Sequence, residues 1–239
     1  MTVINGNFET GTFSNWRTIG DNRIETAALG TGTSEGTFQA LLTTGASASG
    51  GAVEQSDLEQ FLKLPSGLLD KMGNGDVTEG SAIKQTFTAN AGDVLTFDWN
   101  FLTNEATPSF FNDFAFFSVN PFTLELADTN SSGFFSTSAV NFSQETGFKT
   151  ISIGIAQTGT YTLSIGVVDV GDSVVDSALI VDNIQVLSSI GGGIRSQPEI
   201  LTSNADILLE PKSFLGESVL SSFPSYDVGQ FISRSPELA

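Results

Sequence analysis

Large apolar residues along the chain alternate with polar ones in short runs, and clusters of Gly, Asn, Asp and Ser separate these runs. In the clearest run, residues 93–102, every second residue from Leu95 to Phe101 is apolar, which predicts a strand with one buried face. We predict strands at residues 13–19, 22–29, 37–43, 82–89, 93–102, 113–119, 121–127, 148–156, 159–169 and 178–187. Many short strands with turn-rich joints favour an all-β sandwich of the jelly-roll type over a helical fold.

One short segment departs from this alternation and predicts a helical insertion at about residues 56–72. Ser56 and Glu59 have the spacing of a capping box, in which each side chain bonds to the backbone of the other residue. Apolar residues from Leu58 to Leu62 follow at helical spacing. Pro65 is expected to end the helix, because proline cannot continue the hydrogen-bond ladder.

The glycines of residues 191–193 indicate a flexible linker and divide the chain into two parts. Residues 1–190 are predicted to form the β-sandwich. Residues 194–239 form a C-terminal extension whose apolar runs are short and broken by prolines, so it cannot build a core of its own. We expect this extension to dock on its own domain or to donate a strand to a neighbouring copy.

Charge and the missing residue types exclude several classes of function. The 239 residues include 27 acidic and 9 basic side chains, for a net charge of −18. Such a charge repels phosphate backbones, so we expect no nucleic-acid partner, and it attracts divalent cations. The chain has no Cys and no His. Disulfides, the usual zinc sites, and Ser-His-Asp or Cys-His catalysis are therefore excluded.

An extracellular or cell-surface location fits the low content of charged residues and the abundant Gly, Ser, Thr and Asn. No run reaches the roughly 18 apolar residues of a transmembrane segment, and the N-terminus lacks the basic and apolar regions of a signal peptide. Two explanations stay open: a mature N-terminus behind an added Met, or export by an uncleaved C-terminal signal.

Acidic and amide residues near the two ends of the predicted sandwich suggest a first calcium site. Asn7 and Glu9 lie at the N-terminal end, and Asp182 and Asn183 lie in the last predicted strand. Calcium takes six to eight oxygen ligands from carboxylates, amides and carbonyls. Neighbouring first and last strands would supply these from both ends and tie them together. The alternative is that Asp182 and Asn183 merely shape the last strand.

Two acidic loops suggest a second, shared cation site. Glu105 and Asp113 flank one loop, and Asp169, Asp172 and Asp176 crowd another. Acids held close together repel one another unless a cation or a proton intervenes. If both loops lie at the same end of the sandwich, they can share one ion. The alternative is a pair of solvated acidic loops.

The segments Asn5–Glu9 through Trp16 and Val181–Ile184 resemble those of jelly-roll carbohydrate-binding modules and related exosortase-sorted (PEP-CTERM) surface proteins. Thr103–Glu105 and the residues around Asp113 are similar to secreted choice-of-anchor domains. The resemblance covers about residues 3–187 and implies a β-sandwich with a structural calcium, with Glu9 and Asp182 matching ligand positions. The sorted proteins end in a Pro-Glu-Pro motif, an apolar helix and basic residues, which this chain lacks, so membrane anchoring is not expected.

These observations favour a secreted, non-catalytic structural or adhesive protein of a bacterial surface or matrix, stabilised by Ca²⁺. Strand addition by residues 194–239 would link copies into a homo-oligomer or filament. The alternative is a carbohydrate-binding module with a polysaccharide partner, although Trp16 and Trp99 fall among predicted core residues instead of forming an exposed platform. A hydrolase ranks third, since no carboxylate pair in the sequence stands out as the two catalytic acids of glycoside cleavage.

Overall fold

The computed structural model describes residues 3–47, 50–72, 75–131 and 136–188, together with the strand at 206–209. In chain order its strands are β1 (Arg17–Ile19), β2 (Asp21–Thr26), β3 (Phe38–Thr43), β4 (Ala46–Ser47), β5 (Gly50–Gly51), β6 (Val53–Glu54), β7 (Val77–Ala89), β8 (Val94–Thr103), β9 (Phe114–Val119), β10 (Phe122–Asp128), β11 (Ser136–Thr137), β12 (Gln144–Glu145), β13 (Lys149–Ile155), β14 (Gly159–Val170), β15 (Ser177–Leu187) and β16 (Asp206–Leu209). The described helices are α1 (Gln55–Leu62) and two 3-10 turns, Ala27–Leu29 and Asp70–Met72. No helix in these ranges is long and apolar enough to cross a bilayer.

The strands form two facing sheets, which confirms the predicted all-β, jelly-roll-like sandwich. The six-stranded β7 sheet has the order β1-β7-β14-β9-β10, with β6 also on β7. The eight-stranded β8 sheet has the order β11-β12-β8-β15-β3-β2, with β13 on β8 and β16 on β13. Each predicted strand is present, although the one predicted at 13–19 shortens to Arg17–Ile19.

The main core lies between the two sheets and follows the alternation seen in the sequence. The inward residues of β8 and β14 are buried in it: Leu95, Phe97, Trp99, Phe101, Leu163, Ile165 and Val167. Trp16 and Trp99 are both 7% exposed, so they are core residues, as predicted. Each large apolar side chain buried in this way contributes about 1.5–3 kcal/mol.

The helical insertion covers the outer face of the β7 sheet. Leu58 and Leu62 of α1 pack on Ala82, Phe116 and Val168, which alternate with inward residues on their strands. The outer face of this sheet is therefore closed over part of its area by apolar packing.

The predicted capping box of α1 is wrong. The helix begins at Gln55, its N-cap residue Glu54 makes no side-chain cap, and Ser56 lies inside the helix. The carboxylate of Glu59 reaches forward and accepts hydrogen bonds from the backbone N–H groups of Gly67 (2.8 Å) and Leu69 (3.0 Å). Glu59 is buried, so these forward bonds satisfy a carboxylate that a reach back to the helix start would leave at the surface.

The described part of the C-terminal extension is β16. Its residues pair in parallel with β13 of the same chain, from Ser152 opposite Asp206 to Ile155 opposite Leu209. The predicted glycine linker at 191–193 and the rest of 194–239 lie outside the described residues.

Candidate functional site

We call Asn7, Glu9 and Asp182, which come from the two ends of the sandwich, the terminal cluster. Within it, Asp182 is surrounded by hydrogen-bond donors. Its side chain is 0% exposed. Oδ2 accepts from the N–H (3.1 Å) and the hydroxyl (3.1 Å) of Ser34 and from the N–H of Glu35 (2.9 Å). Oδ1 accepts from the N–H of Asn183 (2.7 Å). Burial raises the pKa of Asp182 to about 6, while these hydrogen bonds favour its ionised form.

Glu9 contacts the same loop as Asp182. Its Oε1 accepts hydrogen bonds from the N–H groups of Thr37 (2.7 Å) and Phe38 (2.8 Å). Asn7 lies beside it, with its Oδ1 3.5 Å from the N–H of Glu9. The structure thus brings the predicted residues of both chain ends to the loop 34–38.

The terminal cluster offers the oxygen ligands of a cation site, but hydrogen bonds from the protein already satisfy much of its negative charge. Asn7, Glu9 and Asp182 offer carboxylate and amide oxygens, the class that calcium prefers. Backbone N–H groups already occupy both oxygens of Asp182 and one oxygen of Glu9. In the described residues, no three acidic, His or Cys side chains converge as a metal-binding group.

A second group of acids, which we call the acidic end, lies where β8 and β14 end and β9 and β15 begin. It consists of Glu79, Glu105, Asp113, Asp169 and Asp176. Their negative charges act on one another: the charge of Glu105 raises the pKa of Asp113, that of Glu79 raises the pKa of Asp169, and that of Asp176 raises the pKa of Glu79. The acidic loops predicted from the sequence therefore do meet at one end of the sandwich.

Asp113 is the well-bonded member of the acidic end. It is 1% exposed. Oδ1 accepts from the N–H of Val170 (3.0 Å) and Oδ2 from the hydroxyl of Ser177 (2.6 Å). Burial raises its pKa to about 7, opposed by these two hydrogen bonds and reinforced by the charge of Glu105.

Asp169 is the unsatisfied member. It is also 1% exposed, yet neither carboxylate oxygen has a hydrogen-bond partner among the described residues. Burial is the main reason that its pKa rises to about 9, and the charge of Asp113 is the next. Among the acids of its loop, Asp169 stands out in the sequence because it lies inside the apolar run of β14, a signal that the predicted ligand set did not use.

The remaining predicted acids have local roles. Glu105 accepts from the hydroxyl of Ser109 (2.8 Å), and Asp172 accepts from the N–H of Val174 (2.8 Å). The carboxylate of Asp176 lies against Gly45, where a Cβ would be 2.5 Å from its Oδ2. Asp172 therefore closes its own turn, whereas Asp176 remains with the acidic end.

A basic pocket that was not predicted from the sequence lies between α1, β1 and β7. It has a volume of about 410 Å³ and is lined by Arg17, Ile19, Asp57, Gln60, Phe61, Lys63 and Lys84. We call it the Phe61 pocket. It holds three of the nine bases of the chain. These bases come from β1, the end of α1 and β7, so no local sequence signal joins them.

Two cations in the Phe61 pocket lie over the same aromatic ring. Arg17 and Lys84 are directly opposite in the β1–β7 register. The Lys84 ammonium lies 4.2 Å and the Arg17 guanidinium carbon 5.7 Å from the centroid of the Phe61 ring. Lys84 also donates to the carbonyl of Phe61. Burial lowers the pKa of Lys84, and the charges of Arg17 and Lys63 lower it further.

No protein-family model matches the sequence, and no curated protein matches it. Among solved structures, the chain is similar to TmCBM61, solved in complex with beta-1,4-galactotriose, with TM-score 0.45, 14% identity, and coverage of 78% of this chain and 97% of that one. It is similar to TmCBM27, a carbohydrate-binding module that recognises mannan, with TM-score 0.35, 16% identity and coverage of 78% and 94%. The K2 adhesin domain of Lys-gingipain gives TM-score 0.38, 10% identity and coverage of 73% and 89%. At these values the likenesses carry no argument about function.

Proposed function

We propose that the chain is a non-catalytic extracellular module that binds an acidic polysaccharide at the Phe61 pocket. The observation that carries the proposal is that two bases, Arg17 and Lys84, are cross-strand neighbours over the same Phe61 ring. Like charges directly opposite in a sheet destabilise it. Neither of the ion pairs found in the described ranges involves a base of this pocket, since both belong to Arg23. A carboxylate from outside would pair with these bases.

The pocket has the chemistry to bind a sugar acid. Arg17 and Lys63 are exposed at its rim, where they can meet the carboxylate of a uronate residue. Gln60 and Asp57 line the same space and can bond to sugar hydroxyls. The Phe61 ring positions the cations and is not a free stacking surface, because Lys84 and Arg17 already lie over it.

The net charge of −18 opposes the binding of any polyanion. At physiological salt the Debye length is about 8 Å, so charges far from the pocket are screened while contacts inside it are not. We therefore expect binding to be measurable at physiological ionic strength, with Arg17 and Lys63 contributing most.

A non-catalytic role is consistent with the burial of the acid pair Asp113 and Asp169 at the acidic end. Glycosidases need two carboxyls that flank the scissile bond. Asp113 and Asp169 are each 1% exposed, so a sugar chain cannot reach the space between them.

Binding of polygalacturonate, with neutral galactan as the comparison, tests this function by titration calorimetry at physiological salt. Arg17→Gln and Lys63→Gln should each weaken polygalacturonate binding by roughly tenfold, which equals about 1.4 kcal/mol. Lys71→Gln removes an exposed base from the same insertion but outside the pocket and should leave the affinity unchanged. Equal binding by wild type and Arg17→Gln would contradict the proposal.

Self-association is a second candidate function, favoured by the pairing of β16 with β13. The same backbone hydrogen bonds can form when β16 comes from another copy, because strand addition reads the backbone and not the side chains. Removal of residues 194–239 should then convert an oligomer into a monomer in light-scattering measurements. An unchanged mass would rule out assembly through the extension.

Calcium at the terminal cluster is a further part of the proposal. The oxygens of Asn7, Glu9 and Asp182 support it, and the bound ion would tie residues near both ends of the domain. We expect a chelator to lower the melting temperature, and Glu9→Gln to reduce that dependence on calcium. A chelator response that is identical in wild type and Glu9→Gln would exclude Glu9 as a ligand.

A further inference from the structure

Asp169 points into the space between the two sheets. A bulge interrupts the pairing of β14 with β7 between Val168 and Val170. Both of these valines belong to the apolar cluster on the outer face of the β7 sheet. The side chain between them therefore faces inward, where the Asp113 carboxyl and the Thr44 hydroxyl are its neighbours.

The polar groups around Asp169 are hydrogen-bonded mainly to one another. Thr44 and Ser177, both 0% exposed, bond in both directions: Thr44 Oγ1 accepts from the N–H of Ser177 at 2.9 Å and lies 3.3 Å from its carbonyl. The Ser177 hydroxyl and the Val170 N–H donate to Asp113. The Thr44 hydroxyl lies beside Asp169 and favours its ionised form, but neither oxygen of Asp169 is within hydrogen-bond geometry of a partner in the described structure.

A bare carboxylate in this position is costly. The effective penalty of burying an unpaired ion in a protein is several kcal/mol. Arg and Lys do not compensate it, since both ion pairs in the described part of the chain belong to Arg23. Glu79 and Glu105 add negative charge from nearby. A single proton would neutralise one carboxyl of the pair and leave the rest, whereas a doubly charged ion balances two.

We propose that Asp113 and Asp169 bind a divalent, oxygen-preferring cation between the sheets at the acidic end, with the Thr44 hydroxyl as a neutral oxygen. The available atoms are all oxygens, which fits Ca²⁺ and Mg²⁺ and excludes sulfur-seeking metals. This site is separate from the terminal cluster and from the Phe61 pocket. The ion would close the end of the sandwich at which β8 and β14 lead into the acidic loops.

Calcium titration of the full chain, stripped of metal beforehand, tests the site. Wild type should bind calcium in calorimetry, and Asp169→Asn, which removes the charge at nearly constant volume, should bind one ion fewer per chain. Asp113→Asn should lose the same ion. Asp172→Asn, which changes a carboxylate that closes its own turn, is the matched control and should bind as wild type does. Equal stoichiometry and affinity in wild type and Asp169→Asn would overturn the proposal.

A second arm separates this ion from calcium at the terminal cluster and does not depend on the folding of the buried variants. Glu9 is exposed, so Glu9→Gln can be made without disturbing the core. This variant should still bind at least one calcium ion per chain. The proposal is overturned if wild type binds no calcium at millimolar concentration, or if Glu9→Gln abolishes all calcium binding.

Discussion

Asp182 and Asp169 are buried to nearly the same degree, at 0% and 1% exposure, but their surroundings differ completely. Three backbone N–H groups and a hydroxyl point at Asp182. Asp169 has no partner for either oxygen in the described residues. The loop 34–38 is folded around one acid, whereas the alternation of β14 places the other between the sheets, where no hydrogen bond reaches its oxygens.

The difference shows that a buried acid can serve two opposite purposes. Asp182 anchors a loop through hydrogen bonds from the chain's own donors. Asp169 has no hydrogen-bond partner in the described structure, so we expect the stability of the fold to depend on a proton or a cation taken up from solution. The following predictions test whether the two acids respond separately.

The largest expected effect is the pH dependence of the metal-free chain. Burial raises the pKa of Asp169 to about 9, of Asp113 to about 7 and of Asp182 to about 6, from an ordinary value of 3.8. The folded state then keeps protons that the unfolded state has lost. The free energy of unfolding should therefore be greatest below the unfolded pKa and fall as pH rises, by about 1.4 kcal/mol per pH unit for each such proton.

Urea unfolding in metal-free buffers across this range measures the slope. Because Glu79 and Glu105 face the same end of the sandwich, their charges act in the same direction as burial. Asp169→Asn should flatten the alkaline part of the curve and leave the acidic part, which belongs to Asp182. Stability that rises with pH in the metal-free chain would contradict this prediction.

Asp182→Ala should cost about 2–4 kcal/mol, because it leaves buried N–H donors of the loop 34–38 without an acceptor. The loss should be similar in calcium and in chelator if these hydrogen bonds dominate. Urea unfolding under both conditions measures it. A loss that appears in calcium alone would show that Asp182 acts mainly as a metal ligand.

The fold was largely predictable from the sequence because its core depends on alternation alone. The inward row from Leu95 to Phe101 and the strand around Ile165 are read directly from a period of two residues. The shortening of the first strand and the failed capping box were not predictable. Both depend on distant partners, such as the N–H groups that draw Glu59 forward.

The candidate sites were predictable in part. Glu9 and Asp182 both bond to the loop 34–38, but the expectation that the first and last strands are neighbours is wrong, since β1 pairs with β7 in one sheet and β15 with β3 and β8 in the other. The different bonding of Asp169 and Asp172 was not predictable, because it depends on the distant residues that surround Asp169, such as Thr44 and Ser177, and on the turn that Asp172 closes. The Phe61 pocket joins bases that are far apart in sequence, which a single sequence cannot reveal.

Asp169→Asn should stabilise the metal-free chain by about 1–3 kcal/mol near pH 8, because the wild-type fold must keep a buried carboxyl protonated at a pH well above its ordinary pKa. In calcium the same variant should be less stable than wild type, because it lacks the ion. The sign of the effect thus reverses with calcium, which Asp182→Ala should not do. Thermal melts of both variants with and without calcium measure this. A loss of stability of Asp169→Asn in chelator would contradict the prediction.

The smallest expected effect concerns how tightly the loop 34–38 closes on Glu9. Gly36 has φ +60°, and a Cβ there would lie 2.4 Å from Glu9 Oε1, the atom that accepts from Thr37 and Phe38. Gly32 also has a positive φ, of +78°, but nothing lies within 4 Å of its Cβ position. Both Gly→Ala changes carry the backbone cost of about 1 kcal/mol, so Gly32→Ala is the matched control. Gly36→Ala should lose about 1 kcal/mol more in urea unfolding, since the carboxylate must move and weaken its two bonds. Equal losses would mean that Glu9 moves aside at no cost, so that the loop is held by Asp182 alone.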